Sequence, residues 1–387
     1  MILYVGRITY QVATRNGQDD LKIYYDRTAR YVGGQNPYDK DLPALTPGVR
    51  NHFVYPPATL EIFKALLVFD LPTLLYVYYG VKLVALGLLF LFWYRIANPD
   101  TTFFLLLTLV CLFAYNRPIG LDCRAGNISV FEQCFVWGGV WCFLRGRAPL
   151  FCLLILCSAF FKIVTLPLVF LLVANGDRKS FLWAAGSSAA FVIFQALSYI
   201  MQPDLFHGFV RNAGSLDERG ISNPASLAFF RDFVELLHVA PTWNRSLATV
   251  LYALFALLVF SLACWAAVRS SVWRNKVAWI MLFFLTYALL SPRFKDYSYI
   301  LLILPSAYVL KTCLSSWIWR LVVLFVLSGN FFVYQPFVAA CLVWGIYVHS
   351  LIRAQSLGGE RSCERGPDAV NVSTTCLRSH FGQIIHA

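Results

Sequence analysis

Charge is scarce in this chain of 387 residues: 13% of them are Asp, Glu, Lys or Arg, against 59% hydrophobic and 17% aromatic. Soluble domains carry charge on about a quarter of their residues. With a mean hydropathy of +0.63, the composition excludes an ordinary soluble domain and calls for an integral, multi-pass membrane protein. The little charge present is mostly basic, a net +12. In a soluble chain that surplus would point to nucleic acid, but in a polytopic membrane protein Lys and Arg retain short loops on the cytoplasmic side, so no nucleic-acid partner is implied. Metal-ligand spacing is also missing. The eleven cysteines are scattered, mostly inside apolar runs, as at Cys111, Cys134, Cys142, Cys152, Cys157, Cys264, Cys313 and Cys341. They read as small hydrophobes between helices. Cys123 in a presumed outer loop, and Cys363 and Cys376 in the tail, are the exceptions, and nothing points to a disulfide. His52, His207 and His238 are isolated in sequence. No signal peptide is expected, since basic, apolar and small-residue regions do not follow in order, and no solenoid-type repeat is visible.

What the chain does have is a series of apolar runs, at about 59–69, 72–94, 101–115, 128–144, 149–174, 180–200, 247–269, 277–290, 299–313, 317–334 and 336–352. The expected fold class is therefore all-α, a polytopic transmembrane helical bundle of about eleven membrane segments. The first run is expected to lie along the interface. Starting with the polar stretch 14–71 outside, the positive-inside rule puts Arg95, then Arg145 with Arg147, on the cytoplasmic side. Lys162 and Thr165-Leu-Pro167 interrupt the 149–174 run, which is read as two short helices or a re-entrant pair. With that break Arg178 and Lys179 are inside, the 201–246 polar loop is outside, and Arg269, Arg274 and Lys276 are inside. Ser291 to Ser298 returns outside. Residues 1–352 form one membrane domain, and the polar tail 353–387 is expected to be cytoplasmic and disordered. The sequon Asn371-Val-Ser373 falls on the cytoplasmic side, and Asn244-Arg-Ser246 on the outer side.

The polar stretch is the informative one. Asp19 and Asp20 precede an aromatic segment, Leu-Lys-Ile-Tyr-Tyr; Gly34-Gln-Asn-Pro-Tyr38 follows, and then Tyr55-Pro-Pro57 ahead of the first long apolar run. Carboxylates at a water–membrane boundary are either solvated or used. An acidic residue before an aromatic helix, a Gly-x-x-Pro-Tyr turn and a Tyr-Pro-Pro together resemble the first extracytoplasmic loop of glycosyltransferase family 87. The likeness can be followed in patches from Asp19 to about Pro305. That family belongs to the GT-C superfamily of polytopic enzymes, whose donor is a polyprenyl-phosphate sugar, usually mannose. Its members have a complete membrane helix before this loop. Residues 1–13 hold only a short apolar patch broken by Arg7, too little for a span of roughly twenty residues, so the true start is expected upstream.

The resemblance assigns roles residue by residue. Asp20 matches the family's essential Asp and would be the general base, with Asp19 beside it; the alternative is that either merely caps the helix. Arg124, Gly126 and Asn127 resemble a Gly-Asn element opening a helix, where free N–H groups and an Arg suit a phosphate or sugar hydroxyls; an ordinary Asn-capped loop is the alternative. Lys162, an ammonium in an apolar run, would lie near the donor phosphate, or else snorkel or form a structural ion pair. Ser291-Pro-Arg-Phe-Lys-Asp-Tyr-Ser-Tyr places Arg293 and Lys295 in a short outer loop against the positive-inside trend, where a lipid-phosphate clamp would stand; the alternative is contact with lipid headgroups. Asp296 occupies a position where many members carry His, which leaves its role open. Tyr55, Asn127, Asp296 and Tyr297 would bind substrate.

The implied activity is inverting transfer of a hexose, mannose by family habit, from polyprenyl phosphate to a lipid or glycan acceptor on the extracytoplasmic side of a bacterial plasma membrane. The mechanism that the resemblance implies asks for neither metal nor cofactor. The implied partners are membrane lipids, the lipid-linked donor and the acceptor. The rival is a transporter or flippase of a lipid-linked or amphipathic substrate, which predicts repeat symmetry and midplane charges. Lys162 suits it; the two long same-side loops do not.

Overall fold

The computed structural model describes Gly6, residues 9–10, 17–39, 53–215, 218–238 and 241–363, with the side chains of 354–363 left aside. The readings of Arg7, His52, Cys376, the 371–373 sequon and most of the tail lie outside these residues. The described chain is helical, with no strand. After Gly17 come α1 (Asp19–Val32), α2 (Ala58–Phe63) with a 3₁₀ extension Lys64–Val68, α3 (Leu71–Ala97), α4 (Thr101–Phe113), α5 (Pro118–Ala125), α6 (Ser129–Leu144) and α7 (Ala148–Phe161). A 3₁₀-type stretch Ile163–Asn175 leads to α8 (Arg178–Met201), α9 (Pro203–Ser215), α10 (Ser226–Leu236), α11 (Pro241–Ser270) and α12 (Lys276–Leu290). A 3₁₀ turn Asp296–Leu302 then runs into α13 (Ile303–Thr312), followed by α14 (Trp317–Ser328) and α15 (Gln335–Cys363).

Four described helices are long and apolar enough to cross a membrane: Leu71–Ala97, Arg178–Met201, Trp243–Ser270 and Gln335–Arg353. A fifth span results if Thr101–Asn116 and Pro118–Ala125, bent by 61°, are taken as one broken helix. The other apolar helices are of 10–17 residues. Start and stop chemistry sets their boundaries: Asp100 accepts from the Phe103 N–H at 2.8 Å, Asp177 from Ser180 N at 2.7 Å, and Asn275 from Val277 N at 3.1 Å. These are side chains that satisfy otherwise orphan first-turn donors. At Lys162 the backbone leaves the helix for an extended conformation, and Pro167 sits within the next stretch. The break anticipated from Lys162 and Pro167 is present.

Three expectations need correction. The 201–246 segment is not a loop but carries α9 and α10, because its apolar residues (Leu205, Phe209; Ala225, Phe229) recur at helical spacing and pack one side of each helix. The last helix runs to Cys363, ten residues past Arg353, although Gly358 and Gly359 within it are poor helix formers. Cys123 is buried, because the supposed outer loop around it is α5, folded against the bundle.

Two apolar clusters organise the chain. The larger packs α3, α4, α6, α7, α12, α13 and α15, with Trp137 edge-on to both Trp93 and Phe284. The smaller is built from the polar stretch itself: Leu21, Tyr24, Tyr38, Phe53, Tyr55, Leu60 and Phe63. Buried Arg27 donates to the carbonyls of Asp39 at 3.0 Å and Pro37 at 3.4 Å, tying the Gly-x-x-Pro-Tyr turn to α1. The Tyr38 hydroxyl donates to the Tyr55 carbonyl at 2.6 Å. The motif pieces read from the sequence thus form one small aromatic core that holds α1 in place.

Candidate active site

α1 begins where two glycines let separate loops touch. Gln18 stands in the left-handed region, φ +64°, with its N–H donating to the Arg124 carbonyl at 2.6 Å and its side-chain amide to the Leu75 carbonyl at 3.0 Å. A Cβ on Gly17 would lie 2.9 Å from that same Arg124 carbonyl oxygen, and one on Gly126, φ +68°, would lie 2.7 Å from the Gln18 Cβ. Gly126→Ala therefore combines a strained backbone with a clash against a chain that cannot move freely. It is expected to lower stability by about 1–3 kcal/mol and to reduce activity by shifting the start of α1. A thermal midpoint in detergent equal to wild type would remove the seam from the account.

The seam sets Asp20 against Asn127. The Asn127 amide donates to the Asp20 carboxylate at 2.6 Å and to the Tyr24 hydroxyl at 3.3 Å, and Tyr24 shares a 2.7 Å hydrogen bond with the Tyr55 hydroxyl. The carboxylate of Asp20 thus meets a residue 107 positions away and does not cap its own helix, whose N-cap, Gln18, also makes no side-chain cap bond. Burial raises the Asp20 pKa above the ordinary 3.8; Asn127, then the charges of Lys295, Lys82 and Lys162, partly oppose it. A carboxylate in this setting is a stronger base than a solvated one.

Around Asn127 lies a network that sequence reasoning passed over. Lys82, 1% exposed in the middle of α3, pairs with the Asp122 carboxylate at 2.9 Å and donates to the carbonyls of Asp122 (3.0 Å) and Asn127 (2.6 Å). Lys162 pairs with Glu132 and donates to the Ser129 hydroxyl, both at 2.5 Å. The rule that drew attention to Lys162, a charge inside an apolar run, applies equally to Lys82 and Glu132. The first N–H of α6 is not free as expected: Ser129 N donates to Asp122 Oδ1 at 3.0 Å and Asn127 Oδ1 at 3.1 Å. The Gly-Asn element opens the helix, but its donor serves the protein's own carboxylate and amide.

From the C-terminal half, Tyr297 brings a third cation in. Lys162 lies 5.0 Å and Lys295 5.6 Å from its ring centre, so two ammonium groups stand within cation–π range of one ring. Lys295 also pairs with Glu218 at 2.8 Å, and Arg293 with the same carboxylate at 2.6 Å. Burial alone would raise Glu218, yet Lys295 and Arg293 outweigh it and hold its carboxyl below the usual value. Asp296 is pushed up to about 6, chiefly by burial, with its own following N–H at 2.8 Å and Lys295 opposing, and the charges of Asp20 and Asp122 adding to the rise.

The residues singled out from sequence divide accordingly. Asp20, Asn127, Tyr55, Lys162, Lys295, Asp296 and Tyr297 are brought together, linked by the contacts and charge interactions above. Asp19 points outward, its carboxylate 74% exposed and paired with Lys22. Arg124 is exposed, with one 3.4 Å bond to the Gly120 carbonyl, and contributes to the site through its backbone carbonyl. Arg293 is directed to Glu218. His207 lines a separate groove of about 820 Å³ at the far end of α1, with Tyr31, Gln35, Asn36 and Arg211. Among the described residues no group of three His, Cys, Asp or Glu side chains is arranged to hold a metal ion.

Comparison with known proteins gives one family match: the model for Glycosyltransferase family 87 matches residues 53–292. No curated protein matches the chain.

Proposed function

The chain belongs to glycosyltransferase family 87, and from that premise we propose that it moves a hexose, mannose in the first instance, from a polyprenyl-phosphate carrier to a lipid or glycan acceptor with inversion at the sugar carbon. The observation that carries this is the half-buried Asp20, hydrogen-bonded to Asn127 and under the influence of three ammonium groups. Asp20 takes the proton of the acceptor hydroxyl as its oxygen forms the new bond to C1. The bond from C1 to the phosphate oxygen breaks on the opposite face, and the lipid phosphate leaves with the electron pair. Lys162 and Lys295, both near the Tyr297 ring, meet the charge that develops there. Both ammonium groups are already paired, Lys162 with Glu132 and Lys295 with Glu218, so binding the phosphate has to loosen those pairs. Asn127 orients the carboxylate. The groove between α1 and α9 offers amide, guanidinium and aromatic groups suited to acceptor sugars.

The test is transfer from radiolabelled polyprenyl-phosphate mannose by purified protein in lipid, with extracted lipid and glycan acceptors. Label is expected in the acceptor from this donor and not from a nucleotide sugar, with the anomeric configuration reversed. Incorporation that is the same without the protein would sink the enzyme reading. Movement of the intact lipid-linked sugar across the bilayer with no transfer would favour a flippase instead.

A further inference from the structure

At the end of the bundle away from the active site, two hollows join into one. The first, about 600 Å³, lies where the N-termini of α7, α8 and α12 meet the end of the 3₁₀-type stretch. Lys179, Arg274 and Lys276 line it against a single carboxylate, Asp177. Asp177 is already engaged, accepting from both the N–H and the hydroxyl of Ser180 at 2.7 Å. The second hollow, about 670 Å³, continues from Pro149, Lys179 and Trp183, which belong to both, up the seam between α7 and α8 past Leu153, Leu156 and Gly186. Its lining is almost wholly apolar. Lys162 terminates α7 at the other end, so some 14 residues of helix, ~21 Å at the usual rise, separate the basic hollow from the site.

We propose that this pair of hollows binds one molecule of anionic glycerophospholipid, with the headgroup phosphate among Lys179, Arg274 and Lys276 and an acyl chain in the α7–α8 seam. Charge complementarity selects the occupant: neither Lys179 nor Arg274 has an anionic partner among the described residues, and basic pockets between membrane helices suit anionic headgroups. Trp183 and Trp273 at the rim are the aromatic side chains expected at headgroup level. Asn175 adds a preference for a hydroxylated headgroup. Its amide donates to Ser180 at 2.9 Å while its carbonyl oxygen is buried without a donor, a place for a glycerol hydroxyl. The seam along α8 from Lys179 to Ala190 is ~16 Å of helix, room for most of an acyl chain.

The inference does not depend on the proposed transfer reaction, because its readout is lipid retention. Purified full-length protein in detergent is mixed with equal amounts of phosphatidylglycerol and phosphatidylcholine, and bound lipid is counted by native mass spectrometry. One phosphatidylglycerol is expected in about tenfold excess. The double variant Lys179→Gln/Arg274→Gln should bring the ratio close to one. Gly186→Phe, at a helix position where a Cβ meets nothing within 4 Å, keeps every charge but fills the seam, and should also lose the retained lipid. Equal retention of the two lipids by the wild type overturns the proposal by itself. Displacement of the lipid by glycerol phosphate as effectively as by phosphatidylglycerol would mean a free-phosphate site and overturn it as well. So would a Gly186→Phe protein that retains phosphatidylglycerol normally.

Discussion

Asp20→Asn leaves the protein folded and inserted while lowering transfer by about a hundred- to ten-thousand-fold, the usual worth of a general base. Folding survives because the carboxylate does not hold α1 together: it caps nothing, and the amide oxygen of the replacement can still accept from Asn127, which now donates at 2.6 Å. What disappears is the ability to accept the acceptor's proton. The pH profile separates this loss from a structural one. Because burial raises the Asp20 pKa, wild-type activity is present above the raised value and lost as pH falls through it, so the acid limb lies above the ordinary 3.8. The variant's residual activity should show no such limb. Asp19→Asn, at an exposed carboxylate paired only with Lys22 at 3.2 Å, should change the rate little. A well-expressed Asp20→Asn protein with near-normal turnover would place the base elsewhere.

Lys82→Met should be the most destabilising single change in the site, by about 3–5 kcal/mol, because it leaves a buried carboxylate without its partner. Asp122 is fully buried, and Lys82 is its ion-pair partner; the same ammonium also satisfies the Asn127 carbonyl. Removing Asp122's charge as well, in Lys82→Met/Asp122→Asn, should recover a large part of the loss, since the orphaned charge rather than the missing attraction is the main cost. Thermal unfolding in detergent measures both. Lys82 also lowers the Asp20 pKa, so any Lys82→Met protein that remains folded should have its acid limb displaced to higher pH. A single variant as stable as wild type would show that Asp122 is protonated, or otherwise satisfied, without Lys82.

The helical membrane class, the start and end of most helices, and the break at Lys162 could all be read along the chain. The reason is that they depend on local quantities: runs of apolar residues, caps such as Asp100, Asp177 and Asn275, and a Pro shortly after a cation in an apolar run. The same locality explains why α9 and α10 were missed, since amphipathic helices lying against an aromatic loop look polar when averaged along the sequence. Asp20, Asn127, Lys162 and Lys295 were named because each is a polar group where such groups are expensive or patterned. Their grouping could not be read, because it depends on contacts such as Asp20 with Asn127, 107 residues apart, and Arg293 with Glu218, 75 apart. Tertiary packing alone decided which cation faces which anion: Lys82 with Asp122, Lys162 with Glu132, Arg293 with Glu218, and Arg124 with no carboxylate among the described residues. An ion pair's strength depends on a few ångströms of separation and on local burial, and neither is written in the spacing of residues along a chain.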